Sequence, residues 1–342
     1  MRHATIFAFC CFLFCGITLV WLRMDHAPPQ WDDSWYLTNS LIMYDALTDG
    51  GLLGFAKRFF SILGFKAPLI TALPTPIFLL LGRRWHAAFL VNVTAILVLC
   101  SAVWIIGTRL WNSRAGLIAV FVTGTLPLLY GLSRWYLVEY PLTAAVAVAI
   151  GLLLVSRELE DRWYVSLFGI TCGFGLLLKV SFPLFVALPF AYTFWRSTHR
   201  ARGLLTALVP CLLIALPWYL VNGRQTIQNA VDAGYGQSAI VQGADALIYL
   251  KRILHDGVSV YYGVLAGLLT IVVAVRKPRA LTSLTPVLLW VAHSSSFCLP
   301  ETRTSATWRR FFPALRSVSA SCWTRYWDAS IGRSQRSSLS RW

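Results

Sequence analysis

Two adjacent carboxylates, Asp32 and Asp33, lie in a polar and aromatic stretch, residues 28–69, that directly follows an apolar segment. Lys66 stands near the other end of this stretch, beside a proline-containing segment. A carboxylate can take the proton of an attacking hydroxyl group, and a cation can hold the charge that develops on a departing phosphate. We therefore interpret this stretch as part of an active site at a membrane surface.

Further charged residues follow later in short polar connections. Arg134 and Glu139 lie in residues 133–141, SRWYLVEYP, and Lys179 lies in residues 178–183, LKVSFP. The cysteines fall mostly in apolar runs, without the spacing of a disulfide framework or a zinc site. We interpret them as small buried apolar residues and assign no metal ligands.

The composition indicates an integral membrane protein. Hydrophobic residues make up 57% of the chain and charged residues only 13%, whereas soluble domains carry roughly a quarter charged residues. The formal net charge of +16 could indicate nucleic-acid binding. The basic residues, however, stand in short clusters between apolar segments, so membrane topology explains the charge better.

A series of apolar segments predicts the membrane-spanning helices. Several are shorter than the roughly 20 residues that a perpendicular crossing needs, so their ends are poorly defined. The predicted spans are residues 4–22, 87–107, 117–132, 142–156, 163–178, 184–195, 204–221 and 258–275, with 281–292 opening another.

The positions of the arginines and lysines predict the orientation. Lys and Arg are retained on the cytoplasmic side of a membrane, and two apolar segments separate each basic cluster from the next. A single topology therefore places all the clusters inside, the N-terminus inside, and the acidic loop outside with Arg134, Glu139 and Lys179. The clusters are Arg109 with Arg114, Arg157 with Arg162, Arg196 with Arg200 and Arg202, and Arg276 with Lys277 and Arg279.

Residues 68–82 form an apolar segment that does not fit as a crossing. The segment is short and contains Pro68, Pro74 and Pro76, which lack the amide hydrogens that a lipid-facing helix needs. A crossing here would also place every later basic cluster outside. We predict a re-entrant or interfacial segment on the outer face, although Arg83 and Arg84 then also lie outside.

The order of these motifs resembles membrane glycosyltransferases that use a polyprenyl-phosphate sugar, such as the protein O-mannosyltransferases and the lipid A aminoarabinose transferases. The resemblance covers residues 1–224 and includes the acidic pair, the x-Pro-Leu segment, SR-x5-Y, L-L-x-K-x-x-x-P and LPWYLVNGR at residues 216–224. It implies an all-α polytopic membrane protein of the glycosyltransferase C type, a helical bundle of nine or ten spans with external interfacial helices.

The resemblance also implies roles for individual residues. Asp32 and Asp33 stand where the family has its acidic pair, one of which is the candidate base, and Glu139 stands where a second acidic residue is usually Asp. Lys66 and Lys179 match family lysines, although Ala67 replaces a proline and the glycine expected after Lys179 is absent. Lys66, Arg134 and Lys179 would hold the donor phosphate, and a divalent cation is an open alternative as a cofactor.

Each of these residues also has a plainer interpretation. The acidic pair could simply solvate a loop, and Lys66 and Lys179 could be anchors that reach toward the interface from helix ends. Arg134 and Glu139 could pair with each other across their turn. Trp31, Trp35, Trp135 and Tyr136 could belong to an aromatic interface belt as readily as to a sugar-binding surface.

The sequence therefore predicts transfer of a sugar from a polyprenyl phosphate to a lipid, glycan or protein acceptor, with inversion, at the external face of a bacterial inner membrane. The domain would comprise residues 1–292. One alternative is a catalytically inactive, truncated relative. Another is a transporter of lipid-linked intermediates, which should show internal repeats and charges within its spans; the sequence shows neither.

Residues 293–342 differ in composition from the rest of the chain. They are rich in Ser, Arg and Trp, contain eight arginines and no lysine, and show no helical or strand periodicity. If codons are chosen for residues 301–310 and read one nucleotide earlier, they can encode a motif similar to the late Arg-x-Lys-Asp-x-Arg-Tyr-x-x-Pro signature of bacterial members. We predict that this tail is aberrant and frameshifted, and that this copy is inactive or unstable.

Overall fold

The protein is described by a computed structural model that covers residues 2–25, 29 and 31–230. The predicted spans at 258–275 and 281–292, the last basic cluster and the tail at 293–342 lie outside these residues. The described chain folds into twelve helices: α1 Arg2–Met24, α2 Trp31–Ser61, α3 Leu69–Ala72, α4 Thr75–Leu81, α5 Trp85–Ala88, α6 Leu90–Leu110, α7 Ser113–Thr125, α8 Pro127–Leu132, α9 Glu139–Val155, α10 Arg162–Leu178, α11 Phe182–Arg196 and α12 Arg200–Ala230.

The long apolar helices follow the hydropathy of the sequence. Among the described residues, three segments are long and apolar enough to cross a membrane: Arg2–Met24, Trp85–Leu110 and Arg200–Asn229. Helices α7, α9 and α10 are apolar but shorter. The predicted span at 117–132 is divided into α7 and α8 because Pro127 begins a new helix after Leu126, which has an extended backbone.

The acidic stretch folds into one long helix with a kink. Helix α2 bends at Gly51, whose φ of 59° lies in the left-handed region that glycine adopts readily. The kink divides α2 into two segments.

The apolar segment after Lys66 forms two short helices, α3 and α4, rather than one continuous helix. At about 1.5 Å per residue, the 7-residue α4 is too short to cross a bilayer about 30 Å thick. Arg83, which follows α4, forms an ion pair with Asp45 of α2 through Nε and Oδ1 at 2.7 Å. Residues 83 and 45 therefore lie at the same end of the molecule, and a re-entrant path for 68–82 remains a prediction.

Helices α10 and α12 pack closely through small residues. Gly169 of α10 faces the backbone of α12 so closely that a Cβ atom there would lie 2.1 Å from the carbonyl oxygen of Ala207. Such contacts allow helix backbones to approach in a membrane, where burying apolar surface adds little. Successive helices run in opposite directions, so Glu139 and Lys179 lie at one end of the bundle and Arg157, Arg162 and Arg200 at the other.

The end of α12 differs from the sequence prediction. The predicted span ends at residue 221, but the helix continues to Ala230. Polar side chains in this last part, among them Asn222 and Thr226, are buried rather than solvated. Asn222 and Thr226 donate hydrogen bonds to the carbonyl oxygens of Phe60 and Gly64, and these bonds stabilise the helix beyond its apolar part.

Candidate active site

The two adjacent carboxylates occupy the first turn of α2 and have different environments. Asp32 is exposed, whereas Asp33 is only 8% exposed. The Oδ1 atom of Asp33 accepts a hydrogen bond of 2.9 Å from the backbone N–H of Tyr136. Asp33 therefore fixes the start of α2 against the turn between α8 and α9, and Asp32 is left accessible beside it.

The buried position of Asp33 changes its acidity. Burial disfavours the charged carboxylate and raises its pKa to about 6; the hydrogen bond from Tyr136 acts in the opposite direction, and the nearby charge of Asp25 adds to the increase. A pKa near 6 keeps the carboxylate mainly ionised at neutral pH. It also makes Asp33 sensitive to mild acid, unlike an ordinary surface aspartate.

Tyr136 connects three elements around the acidic pair. Its side chain is fully buried, and its hydroxyl lies 2.5 Å from the carbonyl oxygen of Ile70 in α3 and 3.1 Å from Oγ of Ser40 in α2. Its ring packs against Phe89 at a centroid distance of 5.8 Å. Tyr136 is thus a core residue, and the interpretation of this tyrosine as part of an interface belt or a sugar-binding surface is wrong.

The turn that carries Tyr136 is also held from α6. Asn92 is completely buried, and its Nδ2 donates hydrogen bonds to the carbonyl oxygens of Ser133 at 3.1 Å and Trp135 at 2.7 Å. An unpaired backbone carbonyl in a membrane-embedded core is costly, so Asn92 stabilises the turn. Asn92 was not among the predicted site residues, although an asparagine inside an apolar helix is a signal for such a contact.

Lys66 lies against aromatic side chains that follow the acidic pair in α2. Its Nζ is 4.9 Å from the ring centroid of Trp35 and 5.5 Å from that of Tyr36. These distances fit cation–π contacts. Among the described residues no carboxylate forms an ion pair with Lys66. The ammonium group thus lies near the start of α2, and no carboxylate in the described part of the chain neutralises it.

The loop that carries Lys66 is fixed by the end of α12. Nδ2 of Asn222 donates to the carbonyl oxygen of Phe60 at 2.9 Å, and Oγ1 of Thr226 donates to that of Gly64 at 3.3 Å. Ala67 packs in a small apolar cluster with Leu177 and the buried Trp218. The Lys66 loop is therefore held by α12 and by the end of α10, which leads directly into Lys179.

Glu139 and Lys179 form an ion pair between the start of α9 and the end of α10. Lys179 Nζ lies 3.1 Å from Glu139 Oε1, and the two side chains are 22% and 35% exposed. Glu139 is thus paired with Lys179, and the alternative pairing with Arg134 is wrong. The partial exposure keeps the pair accessible to a charged substrate.

Arg134 has aromatic surroundings. Its guanidinium carbon lies 4.3 Å from the ring centroid of Trp21 in α1 and 3.7 Å from that of Tyr130, whose hydroxyl it also contacts. Its Nε is buried and has no hydrogen-bond partner among the described residues. These contacts attach the turn to α1; a role for Arg134 in phosphate binding remains a prediction.

The structure thus brings together most of the residues singled out in the sequence. Asp33, Tyr136, Ser40 and Ile70 form one connected network, Lys66 lies over the first turns of α2, and the Glu139–Lys179 pair begins three residues after Tyr136. In the described part of the chain, no group of three or more His, Cys, Asp or Glu side chains could hold a metal ion.

Comparisons with known proteins agree with this arrangement. Residues 66–220 match the family of dolichyl-phosphate-mannose-protein mannosyltransferases. The fold is similar to the crystal structure of ArnT from Cupriavidus metallidurans bound to undecaprenyl phosphate, with a TM-score of 0.50 and 18% sequence identity. That match covers 65% of this chain and 41% of ArnT, so the chain spans less than half the length of that protein. Comparison with curated proteins found no match.

These similarities confirm the resemblance inferred from the motifs and the fold class that this resemblance implies. The family match begins at Lys66 and extends into α12, and therefore includes Arg134, Glu139 and Lys179. The acidic pair precedes the matched region and lies on α2, which packs against it. The chain is a multi-pass helical membrane protein of the glycosyltransferase C fold, similar over residues 66–220 to the dolichyl-phosphate-mannose-protein mannosyltransferases.

Proposed function

We propose that this protein transfers a sugar from a polyprenyl phosphate to an acceptor hydroxyl group, with inversion, at the external face of a bacterial inner membrane. The observation that carries the proposal is the arrangement at one end of the bundle. There a carboxylate pair, the lysine Lys66 and an ion pair lie on elements joined through Tyr136 and α12. The acceptor is a lipid, a glycan or a protein of the cell envelope.

The reaction needs a base and cations, and the site supplies both. A carboxylate takes the proton of the acceptor hydroxyl, the acceptor oxygen bonds to the sugar C1, and the bond from C1 to the phosphate oxygen breaks on the opposite face. The electron pair leaves with the polyprenyl phosphate, which is a weak base and needs no acid. Lys66 stabilises the charge on this phosphate, and Lys179 supports it from the pair with Glu139.

The structure favours different roles for the two aspartates. Oδ1 of Asp33 already accepts the Tyr136 amide, and Asp33 is nearly buried. Asp32 is exposed on the same helical turn. We assign Asp32 as the base that contacts the acceptor and Asp33 as a positioning residue that fixes the start of α2.

Lys66 is the residue best placed to bind the donor phosphate. It has no carboxylate partner among the described residues, so an incoming phosphate does not have to displace one. Its contacts with Trp35 and Tyr36 hold the ammonium beside the acidic pair. A divalent cation that accompanies the donor phosphate is compatible with this scheme.

The proposal is tested by measuring donor binding and sugar transfer separately on the full chain in lipid nanodiscs. We expect undecaprenyl phosphate to bind, and Lys66→Ala to raise its Kd by about tenfold or more, because a hydrogen bond to a charged group contributes about 1.5–3 kcal/mol. Lys57→Ala is the matched control, since Lys57 is exposed on the distal part of α2. Equal Kd values for the two variants would contradict the assignment of Lys66.

An inactive relative is the second candidate function, and the composition of residues 293–342 favours it. In that case the full chain binds undecaprenyl phosphate through Lys66 but transfers no sugar from any polyprenyl-phosphate sugar supplied. Transfer of a radiolabelled sugar to an extractable acceptor would exclude this candidate. The nucleotide sequence gives an independent answer, because the preceding reading frame between codons 290 and 335 either encodes the missing motif or does not.

A further inference from the structure

Three helices, α7, α10 and α12, begin at the end of the bundle opposite the acidic pair, and two of them are capped. Oδ1 of Asn112 accepts the backbone N–H of Ala115 at the start of α7 at 3.0 Å. Oδ1 of Asp161 accepts that of Trp163 at the start of α10 at 3.0 Å. Such caps satisfy the amides that have no acceptor within a helix.

The start of α12 has no such cap within the described chain. The backbone N–H of Gly203 donates to the carbonyl oxygen of His199. The backbone N–H groups of Arg200, Ala201 and Arg202 have no acceptor among the described residues. Because α12 contains 31 residues, its aligned peptide dipoles place partial positive charge at this end. The free amides and the dipole together favour an anion.

A buried hydroxyl group beside this helix start also has no partner. Ser197, which ends α11, is only 3% exposed, and its Oγ forms no hydrogen bond with any described residue. Ser197 lines an open depression together with Thr198, His199 and the first residues of α12. A buried hydroxyl without a partner is unfavourable, and a small adjustment of residues 197–199 would let a ligand oxygen in this depression satisfy it. This observation is independent of the helix terminus.

The charges around the depression also favour an anion. Arg196, Arg200 and Arg202 line it. Two acidic groups face it from the α9–α10 connection: Glu158 pairs with Arg196 at 2.7 Å, and Oε1 of Glu160 accepts from Thr198 at 3.3 Å. Arg200 and Arg202 form no ion pair with a described carboxylate, and they provide the charge available to a ligand.

Exposed aromatic side chains place the depression at the level of lipid headgroups. Trp195 is 78% exposed and Trp163 is 69% exposed. Tryptophan is enriched where the polar and apolar parts of a bilayer meet. The guanidinium of Arg200 lies 5.9 Å from the Trp195 ring and donates to the Trp195 carbonyl oxygen at 2.8 Å. The guanidinium of Arg200 is thus held beside Trp195, the tryptophan that we place at the interface.

We propose that the start of α12 binds the headgroup phosphate of an anionic phospholipid. The phosphate oxygens accept from the amides of Arg200, Ala201 and Arg202 and from the Ser197 hydroxyl, and the Arg200 and Arg202 guanidinium groups balance its charge. The flanking tryptophans accommodate the glycerol and upper acyl region. This site lies at the opposite end of the bundle from the proposed donor site and does not depend on sugar transfer.

The test is lipid binding by the full chain in detergent, followed by native mass spectrometry with short-chain phosphatidylglycerol and phosphatidylcholine. We expect tighter binding of phosphatidylglycerol. The double variant Arg200→Gln/Arg202→Gln should raise its Kd by about tenfold or more, since each basic residue near an anionic surface contributes about 1 kcal/mol. Ser197→Ala should raise the Kd by a smaller factor without changing the net charge.

The matched control is Arg109→Gln/Arg114→Gln, which removes the same charge beside the capped start of α7. An equal loss of binding in the control would show a diffuse electrostatic effect and overturn the proposal. Equal affinity of the wild-type chain for both lipids would also overturn it. Displacement of the lipid by millimolar inorganic phosphate would indicate a site for free anions instead of a lipid headgroup.

Discussion

The two ends of the helical bundle carry charge in different ways. At the end with the acidic pair, Asp33 is nearly buried and bonded to a backbone amide, and a neighbouring buried network runs through Tyr136. At the opposite end, Arg196 and Glu158 form an ion pair 2.7 Å long, but their side chains are 55% and 44% exposed. The first arrangement fixes backbone elements, and the second leaves side chains in contact with water and lipid headgroups.

This difference indicates which polar groups determine structure. A buried group that loses its partner costs about 1–3 kcal/mol, whereas an exposed ion pair contributes about 0–1 kcal/mol. Substitutions at the acidic end should therefore affect folding and chemistry together. Those at the basic end should affect mainly surface electrostatics.

The largest expected effect is on turnover at the acidic end. Asp32→Asn removes the proposed base, so sugar transfer should fall by about a hundredfold or more, since general-base catalysis supplies roughly 10²–10⁴. Donor binding should be unchanged, because the donor phosphate is assigned to Lys66. The measurement is single-turnover transfer in proteoliposomes, with Asp49→Asn, an exposed acid of the same helix, as the control. Unchanged turnover in Asp32→Asn would exclude this residue as the base.

The pH dependence of stability should distinguish Asp33 from an exposed acid. Its pKa is raised to about 6 in the folded protein, so the folded state binds a proton more tightly than the unfolded state. The resulting stabilisation is complete below about pH 4 and is lost as the pH rises through 6, for a total of about 2–3 kcal/mol.

Thermal unfolding between pH 4 and 7 provides this measurement, with Asp33→Asn for comparison. Asparagine keeps an oxygen that can accept the Tyr136 amide but cannot ionise in this range. The wild-type chain should therefore lose stability relative to Asp33→Asn as the pH rises. If the two unfolding midpoints stay parallel from pH 4 to 7, the raised pKa of Asp33 is incorrect.

Tyr136→Phe should lower the free energy of unfolding by about 1–3 kcal/mol, because the carbonyl oxygen of Ile70 and the Ser40 hydroxyl lose their common partner. The ring and its contact with Phe89 remain. Thermal unfolding in nanodiscs measures this change. Tyr164→Phe, a half-buried tyrosine near the other end of the bundle, should change it much less. Similar losses of unfolding free energy in Tyr136→Phe and Tyr164→Phe would contradict the difference between the two ends of the bundle.

The smallest effect is expected for the exposed pair at the basic end. Glu158→Gln breaks the contact with Arg196 but leaves both groups accessible to water, so stability should change less than in Tyr136→Phe. The same unfolding measurement applies, repeated at high salt, which should reduce the difference further. A loss as large as that of Tyr136→Phe would show that this pair holds α9–α11 together in the way that Asp33 holds α2.

Much of the fold could be predicted from the sequence. Apolar length and the positions of proline and charged residues predicted the long helices, because these properties act locally along the chain. The positions of the basic clusters predicted that Asp32, Lys66, Glu139 and Lys179 share one end. The side of the membrane on which that end lies remains a prediction.

The specific contacts could not be read from the sequence in the same way. Tyr136 and Trp135 are adjacent aromatic residues, yet one is fully buried and the other is 50% exposed. The pairing of Glu139 with Lys179 rather than with Arg134 depends on the packing of α9 against α10. These differences arise from tertiary packing between elements distant in the sequence, which local periodicity does not record.

The hydrogen bonds from α12 to the Lys66 loop also bear on how the protein is made. Asn222 and Thr226 each bond to a residue 162 positions earlier in the chain. The ribosome therefore completes the Lys66 loop long before α12 exists to fix it. During synthesis the carbonyl groups of Phe60 and Gly64 have no partner from α12 until α12 has entered the membrane. Until then they are exposed to water or to the insertion machinery. We therefore expect the loop that carries Lys66 to take its final position only after α12 has been inserted.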